Sequence, residues 1–135
     1  MILLDTNALI ALALGWPIRQ PAQTLIDGAA GQLAVSAVSA WEIGLLATKT
    51  GHTRLLFPEN AQRWYADTIA AMGLRDLPLD GRVATEAAYL PGRFHYDPSD
   101  RFIVATARLT EATLLTSDRK ILDYALLGHV RALPC

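Results

Sequence analysis

Met1-Ile-Leu-Leu-Asp5-Thr-Asn7-Ala-Leu9 opens the chain, and its reading decides the fold. Three apolar residues run straight into an aspartate, and a Thr-Asn pair then opens an apolar segment with helical spacing. A short, wholly apolar run suits a strand buried on both faces of a parallel sheet. Asp5 then stands where the strand ends and a helix begins. In open α/β sheets, ligands bind at that carboxyl edge of the strands.

The same alternation continues along the chain. The pattern predicts a strand at Ile2 to Asp5, a helix from Asn7 to Leu14 and a helix over Gln20 to Ala30. A second strand falls at Leu33 to Val35. Ser36 to Ser39 leads into a helix through Lys49, closed by Gly51, and Pro58 to Met72 forms the next, followed by Gly73. Leu74 to Leu79 is the third strand. Asp80 caps a helix that ends before Pro91-Gly92, and Asp97-Pro98 starts one running to about Thr110. Ala112 to Thr116 is the fourth strand, Arg119 to Tyr124 a short helix, and His129 to Leu133 an edge strand. Strands alternating with helices imply an α/β fold: an α/β/α sandwich around a mostly parallel sheet of about five strands.

The bulk numbers agree with one domain over residues 1–135. A domain of ~150 residues buries roughly two-thirds of its unfolded-chain surface, so a real core is affordable. The hydrophobic fraction of 52% leaves apolar surface for a partner. Net charge is −1, so no global basic field points to nucleic acid. Arginine nonetheless supplies most of the basic residues, and its fork suits phosphate. A single cysteine, Cys135, excludes an internal disulfide and a zinc–cysteine cluster, which fits a reducing compartment. Asp5 interrupts the opening apolar run and no basic n-region precedes it, so no signal peptide is expected. No apolar run approaches the ~20 residues that span a bilayer. The expectation is a cytoplasmic protein without a membrane segment.

Four acids carry the chemistry, and each also has a local structural explanation. Asp5 can N-cap the helix that begins at Asn7. Glu42 in Ser39-Ala-Trp-Glu42 fits a capping box, with serine at N-cap and glutamate at N3. In Asp97-Pro-Ser-Asp100, Asp97 caps, Pro98 suits N1, and Asp100 at N3 complements the helix dipole. Asp118 is a turn aspartate after a strand. The conjunction says more. Asp5 and Asp118 follow predicted strands, while Glu42 and Asp100 are expected in the first turns of helices leaving the same sheet edge. Carboxylates converging there repel, and some acquire raised pKa values. A hard divalent cation such as Mg²⁺ relieves that conflict, using one or two carboxylates, waters and substrate phosphate. Such a site can activate water for phosphodiester cleavage. Asn7, Thr116 and Ser117 are nearby hydrogen-bonders able to orient carboxylates or water.

At these residues the sequence resembles a known family. Leu3-Leu-Asp5-Thr-Asn7, Ser39-Ala-Trp-Glu42-Ile, His95-Tyr-Asp-Pro-Ser-Asp100-Arg-Phe-Ile-Val-Ala-Thr-Ala107 and Leu115-Thr-Ser-Asp118 look like the motifs of PIN-domain proteins. They look most like VapC-type toxins of bacterial toxin–antitoxin pairs, over nearly the whole chain. The family's first to fourth acids fall on Asp5, Glu42, Asp100 and Asp118, and counting back from Ala105-Thr-Ala107 selects Asp100 over Asp97. The resemblance implies an endoribonuclease dependent on Mg²⁺ or Mn²⁺, leaving a 5′-phosphate. It also implies an RNA substrate, inhibition by a cognate VapB-type antitoxin, and a homodimer. Asp5, Asp100 and Asp118 are the expected metal ligands, with Glu42 ligating directly or through water.

The residues alone leave two rival readings open. One is phosphoryl transfer through an aspartyl phosphate on Asp5, although a haloacid-dehalogenase-like enzyme would carry a second aspartate where Asn7 stands. The other is a non-catalytic protein-binding module whose acids only cap helices. Among the remaining residues, Arg101 and Arg119 are candidate RNA-phosphate contacts, Arg93 a weaker one. His52, His95 and His129 share no metal-ligand spacing, and His95 is expected to be a loop histidine without a role. Trp16, Trp41 and Trp64 are expected in the core or an interface. Trp41 with Leu45 and Leu46 can wall a groove, but core packing is the expectation for it.

Overall fold

The computed structural model describes residues 1–49 and 60–135. Its sheet has five strands: β1 (Ile2–Leu4), β2 (Leu33–Ser36), β3 (Arg75–Leu77), β4 (Thr113–Thr116) and β5 (Arg131–Pro134). All neighbours pair in parallel, in the order β3-β2-β1-β4-β5. Between them lie α1 (Thr6–Leu14), α2 (Ala22–Asp27), α3 (Ala37–Ala47), α4 (Ala61–Met72), α5 (Gly81–Ala88), α6 (Pro98–Leu109) and α7 (Arg119–Leu126).

The apolar runs behave as buried parallel strands do, and each face of the pleat feeds its own core. Leu3, Ala34 and Leu114 point to one side, against Val83 and Ala87 of α5, Ile103 and Ala107 of α6, and Ile121 and Tyr124 of α7. Ile2, Leu4, Val35 and Leu115 point to the other, against Leu9 of α1, Ala22 of α2, Ile43 of α3 and Tyr65 of α4. The result is the expected α/β/α sandwich. Among the described residues, no helix is long and apolar enough to cross a membrane.

Local signals set most helix ends. Gly15 and Gly73 close α1 and α4 in the left-handed conformation, at φ 70° and 61°. Asp80 caps α5 through Val83 N–H, and Asp97 caps α6 with Pro98 following it. Several boundaries depart from the sequence reading, the third strand among them, which is only Arg75–Leu77. The second helix is shorter than Gln20 to Ala30, starting only after Pro21. The last strand begins at Arg131 rather than His129. Most consequentially, α3 is capped by Ser36, whose hydroxyl accepts from Val38 N–H, and not by Ser39. The expected ends at Gly51 and Pro58 lie outside the described residues.

The strand order creates the site. β1 has β2 on one side and β4 on the other, so the chain winds outward through β2 and β3, then returns to β4 next to where it began. Connections leave in opposite directions at the β1–β4 boundary, and such a switch point opens a crevice beyond the strand ends. Leu3, completely buried in the central strand, carries the core behind that crevice. Leu3→Ala is expected to destabilise the fold by about 2–5 kcal/mol, read as a lower urea midpoint at an unchanged denaturant slope.

Candidate active site

A cleft of about 480 Å³ lies over the β1–β4 boundary and is lined by Asp5, Asn7, Glu42, Asp97, Asp100 and Asp118, with Trp41, Leu45 and Leu46 of α3 and Lys49 just past its end. The four acids singled out in the sequence therefore face one space.

Asp5 is 6% exposed, and both its oxygens are held. Oδ1 accepts from Ala8 N–H at 2.7 Å, which is the helix cap, and Oδ2 accepts a short hydrogen bond from the Thr116 hydroxyl. Thr116 Oγ1 also accepts from Asp118 N–H at 3.0 Å. One hydroxyl, at the end of β4, thus joins the strand-end aspartate to the turn carrying the fourth acid. Asp118 Oδ1 caps α7 through the N–H groups of Lys120 and Ile121, at 2.7 and 3.3 Å.

Glu42 does not close a capping box. With Ser36 as the cap, it lies in the second turn of α3 and its Oε1 takes the Thr6 hydroxyl at 2.6 Å. Thr6 Oγ1 also lies 3.0 Å from Ser39 Oγ. A hydroxyl has one proton, so Thr6 donates to the carboxylate and accepts from Ser39. Ser39, buried, is a support for Glu42 and not a cap.

Asp97 and Asp100 divide the roles in their turn. Asp97 Oδ1 accepts from Ser99 N–H, Ser99 Oγ and Asp100 N–H, at 3.0, 2.9 and 3.3 Å. The Ser99 hydroxyl holds the Asp97 carboxyl below its ordinary value. Asp100 caps nothing. Its Oδ2 lies 3.1 Å from His95 Nε2, in a contact that is close but not aligned as a hydrogen bond.

The electrostatics follow from this crowding. Burial, then the charges of Asp118, Asp97, Glu42 and Asp5, push Asp100 up to about 7. Burial also raises Asp5 and Glu42, against the pull of the hydroxyls that hold them. Among the described residues, no three His, Cys, Asp or Glu side chains are already gathered at metal-ligating separation. The donor set nonetheless fits a hard cation: oxygen ligands, mutually repelling, around a space wide enough for the ion to keep water. Mg²⁺ demands that arrangement, since it dehydrates reluctantly and takes few protein carboxylates.

Other expected residues are placed differently. Asn7 is exposed at the cleft wall, while Ser117 is exposed outside it. Arg101 does not line the cleft. Its guanidinium donates to the carbonyls of Ala87, Phe94, His95 and Ala88, at 2.9, 3.1, 3.1 and 3.4 Å, so it ties a loop to α6 and is not presented to phosphate. Arg119 is also outside, paired with Asp123 on the surface. Trp41 corrects the core expectation: it is 57% exposed and walls the cleft with Leu45 and Leu46. Lys49 was not singled out: it lies just past the end of α3, where helix spacing no longer says which way a side chain faces. Thr6 was also missed. His52 lies outside the described residues.

An open parallel α/β sheet with a crevice at its switch point defines a class of folds that bind their ligands beyond the strand ends. Comparison makes the family specific. The PIN domain family model matches residues 2–127, and the chain belongs to the PIN-domain family, whose members are generally nucleases that use divalent metals. Its fold is similar to that of a chain in FitAcB from Neisseria gonorrhoeae, with TM-score 0.67 and 25% identity over 98% of this chain and 96% of that one. VapBC-5 from Mycobacterium tuberculosis, a member of the VapBC family of toxin–antitoxin systems, matches with TM-score 0.60 and 25% identity over 98% and 95%. VapBC2 from Rickettsia felis, bound to a promoter DNA fragment, shares the fold at TM-score 0.69 and 15% identity over 100% and 99%. No curated protein matches the sequence significantly.

An acid whose folded-state pKa stands above its unfolded value binds protons on folding, so stability falls as pH rises between the two values. For Asp100 that window runs from 3.8 to about 7. The metal-free protein is therefore expected to melt higher at about pH 5 than at about pH 8. Asp100→Asn should raise the metal-free Tm at about pH 8 by at least about 3 °C and flatten the profile. Thermal melts in EDTA across that range check both.

Proposed function

We propose that this chain is a Mg²⁺- or Mn²⁺-dependent endoribonuclease acting as the toxin of a VapBC-type pair in the cytoplasm. The observation that carries the reading is the meeting of Asp5, Glu42, Asp100 and Asp118 in one cleft at the switch point of a PIN domain. Asp5, Asp100 and Asp118 would hold the cation, with Glu42 ligating directly or through a water. When bound, the cation supplies the positive charge that offsets the phosphodiester and its leaving oxygen and eases deprotonation of water.

The chain's own groups do the rest. Thr116 and Ala8 N–H fix Asp5 in one orientation, and Thr6 fixes Glu42, so neither carboxylate must be ordered when substrate arrives. Glu42 is placed to orient the attacking water and take its proton. Lys49 is the cation lining the cleft among the described residues and can meet a backbone phosphate. Trp41 offers an exposed aromatic face on which an unpaired base can stack.

Two rivals lose support from specific residues. An aspartyl-phosphate mechanism of the haloacid-dehalogenase kind needs a second carboxylate two residues after Asp5, and the residue at the cleft wall there is Asn7. A module whose acids only cap helices leaves Glu42 and Asp100 unexplained, since neither caps one. For partners, we infer a VapB-type antitoxin and a homodimer from the likeness to FitAB bound to a DNA fragment and to the VapBC complexes.

Purified antitoxin-free protein is expected to cut a mixed tRNA and ribosomal RNA pool with Mg²⁺ or Mn²⁺ and not with EDTA. Asp5→Asn and Asp100→Asn should each lose more than the 10–100-fold typical of an outer partner of a metal site. Equal cleavage by folded Asp5→Asn protein would overturn the assignment. Lys49→Ala should weaken RNA binding and reduce the slope of log affinity against log salt by about 0.7, measured by filter binding in Ca²⁺.

A further inference from the structure

Resting on the metal-site reading above, we infer that His95 is a positioning residue for Asp100, presenting its Nε2–H to that carboxylate and setting how it faces the cation. Asp5, Asp97 and Asp118 are all oriented by backbone N–H groups. Among the described residues Asp100 has no such anchor, although it is the acid most crowded by the others. Its contact on the protein side is the 3.1 Å approach of His95 Nε2 to Oδ2.

The ring is placed by three independent restraints. Asp97 N–H donates to Nδ1 at 3.2 Å, so Nδ1 offers its lone pair and the neutral ring carries its proton on Nε2. Phe94 packs against the imidazole with centroids 4.3 Å apart and is itself braced by Tyr124 at 4.6 Å. Arg101 grips the carbonyls of Phe94 and His95, both at 3.1 Å. The residue after Asp100 therefore pins the loop whose histidine turns back onto Asp100. Nε2 is buried and has no aligned partner of its own. A buried donor is costly without an acceptor, so a small rotation of the Asp100 carboxylate toward it is favourable.

Mn²⁺ titration calorimetry on the parent, His95→Phe, His95→Ala, His95→Gln and Asp100→Asn tests this. His95→Phe keeps a ring against Phe94 but has no donor, and His95→Gln restores an N–H at similar reach. Mn²⁺ affinity is expected to fall about 10–100-fold in His95→Phe and His95→Ala, with the metal-free Tm little changed, and to recover largely in His95→Gln. Unchanged Mn²⁺ affinity in either donor-less variant that remains folded overturns the role of His95 alone. His95→Gln binding no better than His95→Phe at equal Tm overturns the donor mechanism. A folded parent that binds no Mn²⁺, or Asp100→Asn binding as the parent does, overturns the underlying metal site.

Discussion

One hydroxyl proton, from Thr116 at the end of β4 to Asp5 at the end of β1, ties the working edge of this sheet together. Taking a carboxylate almost fully out of water is costly unless its oxygens are satisfied. Ala8 N–H satisfies one and Thr116 the other. Because Thr116 also accepts from Asp118 N–H, the bond fixes two acids, one on each side of the switch point. The parallel register that sets Leu4 beside Leu115 is what brings the two strand ends level.

Around this anchor, charge and support are separated. The acids crowd one cleft, and the groups that hold them stand behind it: Thr116 for Asp5, Thr6 and Ser39 for Glu42, and His95 beside Asp100. Such a site costs the empty protein stability, since its carboxylates repel one another at neutral pH. The apolar faces of the sheet, with Leu3, Leu4, Leu114 and Leu115 wholly buried, provide the frame that resists that repulsion. Function here is a local violation of the rule that like charges keep apart, sustained by a core that obeys every other rule.

Much of this was legible in the residues. A parallel strand buried on both faces reads as an unbroken apolar run, so β1, β2 and β4 were visible as Ile2-Leu-Leu4, Leu33-Ala-Val35 and Leu114-Leu115 with their flanks. Caps such as Asp80 and Asp97 act over three or four residues and were visible for that reason. Ser36 and Ser39 were harder to separate, because both precede apolar residues. Pairing of Ser36 with Leu77 keeps it extended, which makes it the cap and carries Glu42 into the second turn. Trp41 misled for a similar reason: α3 has apolar residues around most of its surface, so periodicity does not say which face is covered. Arg101 and His95 depend on a loop folding back on α6, a contact with no signature in spacing.

The sequence by itself determined the elements and their alternation, because strand burial, capping and helix periodicity are interactions between near neighbours, and its four spaced motifs named the acids. Only the tertiary structure decided which strand stands beside β1, and hence that residues 111 positions apart, Asp5 and Thr116, are hydrogen-bonded. It also decided that Trp41 and Lys49 face the cleft while Arg101 turns inward to backbone carbonyls. Those outcomes follow from strand order and from which faces are left uncovered, and both are properties of the packed whole.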